Sequence, residues 1–271
     1  MQRQGDAGAK KEFDELSGLH EFRAKLAPSK LLILHGVNAL KERKIDEALE
    51  RFQKSVELTP ELSASHYYLG LAWDGKNEPE RAKAGYEKAI ELKPDYAQAH
   101  ASLGLLLWKS EDREQGLQEM QQAVMCDPDL VEAHYNLGVA LAELQRSREA
   151  MSELKEAVSL DPESVDARIQ LGLVMSEHDP AGAANIFRAL VRRDPKFAEG
   201  HNNLGLVLLQ SGDTQKAEAE FAEAIRLKPE FAEAHYNLAL AFRPQGKESE
   251  AQRELAKAYE LAPELKSRAL L

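Results

Sequence analysis

Small and large apolar residues recur along this chain with a period of 34 residues. When repeats are counted from Ser29, repeat positions 4, 7, 8 and 11 share one side of a first helix, because they are spaced i, i+3, i+4 and i+7. Positions 20, 24 and 27 do the same for a second helix. Position 8 is glycine or alanine and position 20 is alanine or glycine, so the two helices are predicted to approach closely. Position 24 carries the larger apolar residues Phe52, Tyr86, Met120, Leu154, Phe187, Phe221 and Leu255.

A proline closes each repeat at position 32. Because proline cannot continue the hydrogen-bond ladder of a helix, it is predicted to end the second helix. Polar turns that contain glycine or proline separate the two helices of a repeat. One hairpin cannot bury both of its faces, so the repeats are predicted to stack on their neighbours. The repeats span 29–62, 63–96, 97–130, 131–164, 165–197, 198–231 and 232–265, and their prolines are Pro60, Pro94, Pro128, Pro162, Pro195, Pro229 and Pro263.

Three positions depart from this pattern. The fifth repeat lacks one residue near 177–180, in the turn between its helices, where a deletion disturbs the fold least. Gly116 replaces alanine at position 20, and we expect it to weaken its helix by about 1 kcal/mol. Pro244 falls at position 13 of the seventh repeat and is predicted to end the first helix early.

Both ends of the chain lie outside the repeat pattern. Residues 1–28 form an N-terminal tail whose segment 12–27 has apolar residues about three apart and is therefore amphipathic. We expect this segment to cap the first repeat, to lie in a groove of the protein, or to mediate dimerisation. Residues 266–271 are predicted to begin a C-terminal helix, whose missing cap indicates truncation or end-to-end self-association. The tail's apolar residues are Phe13, Leu16, Leu19, Phe22 and Leu26.

The combination of leucine and glycine at positions 7 and 8, alanine at position 20, a large residue at position 24 and a closing proline resembles the tetratricopeptide repeat. The resemblance covers residues 29–265. It implies an all-α fold, a right-handed α-solenoid superhelix of seven helix-turn-helix repeats. In this family the first helices line a concave groove that binds protein segments, and here positions 2, 5, 6 and 9 fall on that side.

The groove positions supply the candidate binding residues. Position 9 is aliphatic in every repeat, and position 6 is an amide in the fourth to seventh repeats. Amides can both donate to and accept from a peptide backbone, and tyrosines at position 5 can pack against its side chains. The alternative, that the amides bond one another between helices, stays open. The predicted peptide-binding residues are Tyr67, Tyr68, Ser102, Tyr135, Asn136, Gln170, Asn202, Asn203, Tyr236 and Asn237, with the acidic Glu132, Asp166, Glu199 and Glu233 at position 2.

The amides carry a narrower resemblance. Residues 133–138 and 234–238 are similar to repeats of O-linked N-acetylglucosamine transferase, in which concave asparagines hold the substrate polypeptide. The matching positions are Asn136, Asn203 and Asn237, with Gln170 a variant. The resemblance implies an amide ladder in the C-terminal half of the chain, because the first two repeats depart from it.

Charge narrows the class of partner. The chain has 46 acidic and 35 basic residues, a formal net charge of −11, and no basic stripe. Nucleic acid and anionic membranes are therefore disfavoured, and no apolar stretch approaches the roughly 18 residues that would span a bilayer. Acidic residues at positions 2 and 13 concentrate in the later repeats, which predicts a ligand whose basic end lies there. The first residues of the chain contain no apolar signal-peptide core, which favours a cytoplasmic location. A periplasmic or secreted location is expected instead if a leader was removed.

The repeat also explains residues that could carry chemistry. Residues 70–76 nearly match a phosphate-binding loop, but Asn77 stands where that motif needs serine or threonine. The single cysteine, Cys126, excludes an internal disulfide. Helices lie about 8–10 Å apart, whereas zinc ligands lie about 2.0–2.1 Å from the ion, so recurring histidines at position 4 are predicted to pack rather than bind metal. These histidines are His66, His100, His134, His201 and His235.

No catalytic group of residues emerges, so the chain is predicted to be a non-enzymatic scaffold without cofactor or metal. Its partner is expected to be a peptide or protein segment with basic character. The alternative is that the chain is the substrate-recruitment part of a larger enzyme or of a secretion or assembly machine. Self-association through the terminal segments is a further expectation.

Overall fold

The structure, a computed structural model, describes the backbone of residues 2–110 and 112–270 and the side chains of residues 21–110 and 112–267. Its described residues form α-helices, two 3₁₀ helices and no strand, which confirms the all-α prediction. The helices are α1 (Gln2–Lys41), α2 (Ile45–Leu58), α3 (Ser63–Gly75), α4 (Pro79–Leu92), α5 (Ala97–Lys109), α6 (Arg113–Cys126), α7 (Val131–Glu143), α8 (Ser147–Leu160), α9 (Val165–Met175), α10 (Pro180–Arg193), α11 (Ala198–Gln210), α12 (Thr214–Leu227), α13 (Ala232–Phe242) and α14 (Glu248–Leu261).

The chain divides into two compact bodies. The N-terminal body, residues 1–136, contains α1 to α6 and the beginning of α7. The C-terminal body, residues 137–271, contains the rest of α7 and α8 to α14. Within each body, the odd-numbered helices are the first helices of their repeats and the even-numbered helices are the second helices, as the hydrophobic pattern predicts.

Each hairpin is held by a large side chain that packs on a small one. Phe187 and Phe221 are fully buried at position 24 of their repeats. A Cβ atom built on Gly172 would lie 2.7 Å from the ring of Phe187, and one built on Gly205 would lie 2.6 Å from the ring of Phe221. A side chain at either glycine would displace the ring, so position 8 must stay small for the hairpin to close. Leu255 in the seventh repeat is only half-buried.

The backbones of α5 and α6 approach each other closely. A Cβ atom built on Gly116 would lie 2.9 Å from the carbonyl oxygen of Gly104 and 2.9 Å from the backbone nitrogen of Trp108. Backbone atoms cannot move aside as a flexible side-chain tip can. The sequence predicts a propensity cost for glycine at this position, and the structure supplies the reason that alanine does not fit there.

The departures from the repeat fall in the turns. In the fifth repeat α9 ends at Met175 and α10 begins at Pro180, so the missing residue lies in the turn, as predicted. In the seventh repeat α13 ends at Phe242, and the 3₁₀ helix Arg243–Gln245 contains Pro244, which confirms the early end of that helix. The near-match to a phosphate-binding loop is not a loop, because residues 63–75 are helical.

The helices at the two ends of the chain do not coincide with the repeat boundaries. α1 continues from the tail through Pro28 to Lys41, so the boundary at residue 28 is not a helix boundary. Phe22 and Leu26 are half-buried, whereas the side chains of Phe13, Leu16 and Leu19 lie outside the described residues. The capping or docking role of the tail therefore stays a prediction. At the other end, residues 263–270 form a 3₁₀ helix rather than an α-helix. The buried Leu265 packs this 3₁₀ helix into the apolar core.

Candidate functional site

The groove positions lie on the first helices of both bodies. Positions 2, 5, 6 and 9 are spaced so that they share one side of each first helix. We call this side the first-helix face. In the N-terminal body it includes Tyr67, Tyr68, Leu71, Ser102, Leu105, Glu132, Tyr135 and Asn136. In the C-terminal body it includes Asp166, Gln170, Leu173, Glu199, Asn202, Asn203, Leu206, Glu233, Tyr236, Asn237 and Leu240.

Tyrosine rings crowd the first-helix face of the N-terminal body. Tyr67 contacts Tyr68 and Tyr96, with ring centroids 5.1 Å apart in each pair. Tyr68 also stacks on Phe52 at 5.6 Å. Burial raises the pKa of Tyr67 and of Tyr96, so both hydroxyls stay protonated at neutral pH and can donate hydrogen bonds. Tyr67 and Tyr68 are both half-buried, so each ring presents part of its surface to solvent.

The other predicted residues of the N-terminal body lie on α5 and α7. Ser102, Tyr135 and Asn136 are half-buried, and Glu132 is exposed. The hydroxyl of Ser102 lowers the pKa of Tyr67 and so counters part of the effect of burial on that tyrosine. The serine is therefore engaged with the tyrosine cluster.

The amides of the C-terminal body fall into two groups. Asn237 donates from Nδ2 to Oδ1 of Asn202 over 2.9 Å, and both side chains are buried. This pair realises the alternative in which amides bond one another between neighbouring first helices. By contrast, Gln170 and Asn203 are half-buried and make no side-chain hydrogen bond to any residue that the structure describes. These two amides are the ones available to a ligand.

The aliphatic residue at position 9 is never buried. Val37, Leu71 and Leu105 are half-buried in the N-terminal body, and Leu206 and Leu240 are half-buried in the C-terminal body. Leu173 is 41% exposed, the largest exposure at position 9. An apolar strip that is repeated yet left open to solvent is typical of a binding surface.

A cleft of about 930 Å³ opens beside Gln170 and Leu173. We call it the turn cleft, because the turns after α7 and α9 form its rim. α9 ends at Met175, so Glu177 and His178 lie in the turn that follows it, at the rim of the cleft. Its remaining lining residues are Ala142, Glu143, Gln145, Arg146, Ser147, Arg148, Glu149, Val174, Glu177 and His178.

Acidic groups border the face in the C-terminal body. Asp166, Glu199 and Glu233 are exposed at position 2, as is Glu177 at position 13. Glu199 accepts a bond from Lys228 over 3.2 Å, at the surface, where such a pair is weak. In the turn cleft, Arg146 is held by Glu149 at 2.6 Å, which offsets its charge. The border of this face is therefore predominantly negative.

The histidines at position 4 are bonded groups rather than simple apolar filling. The ring nitrogen Nε2 of each lies 2.8–3.2 Å from the carbonyl oxygen of the proline that closes the preceding repeat. In the third, sixth and seventh repeats Nδ1 also lies 2.6 Å from a glutamate on the second helix of the same repeat. The prediction that these histidines pack did not include this glutamate, although it recurs 19 residues after the histidine. The pairs are His100–Glu119, His201–Glu220 and His235–Glu254.

The pair His100–Glu119 makes stability depend on pH. A carbonyl only accepts, so Nε2 of His100 must donate to Pro94, and the charged ring also donates from Nδ1 to Glu119. The hydrogen bond to Glu119 raises the pKa of His100 above its ordinary 6.5. Because the folded-state pKa is the higher one, this stabilisation is complete below pH 6.5 and is lost as the pH rises through the folded value.

We expect the stability of Glu119→Gln to fall less steeply than that of the wild type as the pH rises above the ordinary histidine pKa of 6.5. The measurement is the free energy of unfolding by urea at a series of pH values. Glu114→Gln is the control, because Glu114 is exposed on the same helix. A difference between wild type and Glu119→Gln that stays constant across these pH values would contradict the assignment.

Cys126 is half-buried, with Sγ 4.0 Å from the carbonyl oxygen of Pro94. Burial raises the pKa of its thiol, so the thiol stays protonated at neutral pH, unlike a reactive cysteine. Among the described residues, no group of three His, Cys, Asp or Glu side chains could hold a metal ion. None of the helices, within the part of the chain that the structure describes, combines the length and apolarity needed to cross a membrane.

Comparison with known families finds one kind of match. Two models described as Tetratricopeptide repeat match the chain, one over residues 33–97, 175–230 and 207–265, and the other over residues 131–164. All the matched segments lie within residues 33–265, the part of the chain that the repeats occupy. No curated protein matches the chain.

Several solved structures share the fold. YrrB, titled a TPR protein with an unusual peptide-binding site, is 27% identical, with 68% of this chain and 95% of that chain covered and a TM-score of 0.61. PilF of Pseudomonas aeruginosa is 23% identical, with 75% and 93% covered and a TM-score of 0.62. A tetratricopeptide repeat protein of Parabacteroides merdae is 16% identical, with 86% and 93% covered and a TM-score of 0.61. The similarity to PilF and to the Parabacteroides merdae protein shows a shared fold only.

Proposed function

The chain belongs to the tetratricopeptide repeat family, and we propose that it is a non-enzymatic scaffold that binds a basic peptide or protein segment on the first-helix face. The observation that carries the proposal is the strip at position 9, which is aliphatic in every repeat and buried in none. Burying such a strip requires a partner. The peptide-binding site named for YrrB supports this use of the fold.

The C-terminal body offers the most complete set of contacts. Leu173 and Leu206 supply apolar surface, and Gln170 and Asn203 flank it with amides that have no bonded partner among the described residues. An amide presents both donors and acceptors, so it can bond the backbone of an extended segment whatever its side chains are. The turn cleft next to Gln170 has room for a side chain of that segment.

Charge supports a basic ligand. Asp166, Glu199, Glu233 and Glu177 are exposed along the border of the face, in a chain of net charge −11. Exposed charges attract a ligand of opposite sign over roughly a Debye length, about 8 Å at physiological salt. Binding is therefore expected to weaken as salt rises, while the amide and leucine contacts persist.

The test is selection of peptides from a random library on the whole chain. We expect enriched peptides to be basic, and we expect their affinity for Gln170→Ala/Asn203→Ala to be about tenfold lower, because net losses of about 0.5–1.5 kcal/mol per hydrogen bond add up over two amides. Affinity can be measured by fluorescence anisotropy of a labelled selected peptide.

The matched control is Gln215→Ala/Gln252→Ala, because these amides are exposed on the second helices α12 and α14. This control should bind as the wild type does. Asn237→Ala is unsuitable for the same test, since it removes a buried bond to Asn202 and would lower stability. Equal affinity of the wild type and the Gln170/Asn203 double variant would refute the proposal.

A further inference from the structure

Helix α10 differs in charge from every other second helix. Its sequence, PAGAANIFRALVRR, contains three arginines and no carboxylate. The six other second helices each contain at least two glutamates. In a chain of net charge −11, α10 is therefore a local cationic surface. The repeat pattern does not require this, because the exposed positions of a second helix are free to vary.

Two of these arginines lack a carboxylate partner. Arg193 pairs with Glu163 at 2.7 Å. Arg188, by contrast, donates only to the amide oxygen of Asn185, over 2.9 Å, and Arg192 donates to the backbone carbonyl of Arg188, over 3.2 Å. No carboxylate within the part of the chain that the structure describes pairs with either of them. Both guanidinium groups are exposed and one helical turn apart.

These arginines form one wall of a cleft of about 340 Å³, which we call the α10 cleft. α10 and α12 form its walls, and α11 forms its floor through the buried Leu204 and Leu208. The volume of the cleft is roughly ten times the ~30 Å³ that one water molecule occupies in the liquid. The cleft therefore has room for a large side chain. The lining residues are Arg188, Val191, Arg192, Leu204, Leu208, Lys216, Ala219 and Glu220.

The other charges in the cleft are already paired. The carboxylate of Glu220 is bonded to Nδ1 of His201 at 2.6 Å, and Lys216 is bonded to Asp213 at 2.8 Å. The charge that the cleft presents to a ligand is therefore that of Arg188 and Arg192. Guanidinium groups bind carboxylates with two parallel hydrogen bonds, which is geometry that lysine cannot supply.

We propose that the α10 cleft is a second docking site, which takes an apolar side chain of an acidic protein segment while Arg188 and Arg192 bind its carboxylates. Val191 and Ala219 present accessible apolar surface beside the leucine floor, which favours a protein segment over a nucleic acid, because a nucleic-acid backbone has no apolar side chain to bury there. The charged walls of this site are on second helices, and its floor uses positions 7 and 11 of α11, which are not part of the first-helix face. The two sites attract ligands of opposite charge, so one chain can connect a basic segment with an acidic one.

The probe is a short blocked peptide, EDELEDE, titrated to about 1 mM into the uniformly ¹⁵N-labelled chain. We expect the amide signals of Val191, Leu204 and Ala219 to shift with a saturable dependence on peptide concentration. Arg188→Glu/Arg192→Glu should weaken binding about tenfold or more. Ala219→Phe should also weaken it, because Ala219 is exposed on the cleft wall and a phenyl ring would fill the cleft without altering charge.

Lys155→Glu is the matched control, because Lys155 is exposed at the same repeat position of α8 as Arg188 on α10. It should bind EDELEDE as the wild type does, and the peptide EDESEDE should bind more weakly than EDELEDE because it lacks the leucine. Either an absence of shifts at the cleft or an unchanged affinity of Arg188→Glu/Arg192→Glu overturns the proposal. Tighter binding of oligo(dT) than of EDELEDE through the same arginines would overturn it in favour of nucleic acid.

Failure of this test leaves the first-helix face unaffected, because the two sites share no residue and are probed with ligands of opposite charge.

Discussion

Replacing Phe221 with alanine is expected to lower the free energy of unfolding by about 3–5 kcal/mol, the usual range for deletion of a buried aromatic ring. Phe221 is fully buried between the two helices of the sixth repeat. Its ring occupies the space that a Cβ atom on Gly205 would need, at 2.6 Å. The backbones of α11 and α12 are already held at this distance by their other contacts, so they cannot collapse fully into the cavity. The lost contacts therefore remain uncompensated.

The measurement for Phe221→Ala is urea unfolding followed by circular dichroism, with the free energy taken from the midpoint and slope. Met125→Ala is the control, because Met125 is 72% exposed and loses little contact on truncation. In a repeat array each repeat contacts its neighbours only, so amide exchange should rise most in the sixth repeat and its neighbours. A loss below about 1 kcal/mol would mean that the ring is not the main contact of this hairpin.

Replacing Gly116 with alanine is expected to destabilise the protein by about 1–3 kcal/mol, the typical cost of overpacking. On helix propensity alone the substitution should stabilise α6 by about 1 kcal/mol. The structure reverses this sign, because the added Cβ atom would lie 2.9 Å from backbone atoms of Gly104 and Trp108. For alanine to fit, α5 and α6 must separate along their whole contact.

Gly75→Ala is the matched control for Gly116→Ala. Gly75 is also in a helix, but a Cβ atom there would have its nearest neighbour, Cδ1 of Ile45, at an ordinary 3.7 Å. Its substitution should leave stability unchanged or raise it by up to about 1 kcal/mol. Thermal unfolding of the two variants side by side checks the expectation. A Gly116→Ala variant as stable as Gly75→Ala would show that α5 and α6 can separate at little cost.

The repeat predicted the helices well because each repeat position has one structural task. Phe52, Phe187 and Phe221 are fully buried, as a large residue opposite glycine must be. Pro244 ends α13 near the predicted position, because the effect of proline is local to its own helix. By contrast, the sequence boundary at Pro28 does not interrupt α1. A single proline removes one hydrogen bond, and a helix with enough other contacts continues through it.

Candidate binding residues were harder to predict, since the same residue type can serve a ligand or the fold. Asn203 and Asn237 occupy the same repeat position, yet Asn237 is buried against Asn202 while Asn203 stays half-exposed. The burial of Asn237 depends on whether the neighbouring first helix has an amide at position 5. The resulting bond joins residues that are distant in the chain. Position 5 is asparagine only in the sixth repeat, so the bonded pair forms between the sixth and seventh repeats.

The hydrogen-bond partners of the histidines at position 4 were also difficult to predict from the sequence. Its burial follows from the helical period, but its partners do not. His100 bonds the closing proline of the repeat before it and a glutamate on the second helix of its own repeat. His66 bonds a proline carbonyl, but Gly85 stands where that glutamate would be. The sequence sets which histidines have a glutamate 19 residues later, but only the packed helices show that the two side chains meet.

The sequence by itself determined the seven helical hairpins, their turns, their small-to-large packing and the family, because these depend on local helix geometry repeated every 34 residues. The tertiary structure decided which polar groups are satisfied and which remain open. It paired Asn237 with Asn202, left Gln170 and Asn203 without a bonded amide, and opened the α10 cleft beside Arg188 and Arg192. Those outcomes depend on distances between helices that the repeat brings together, and no period along one chain encodes such distances.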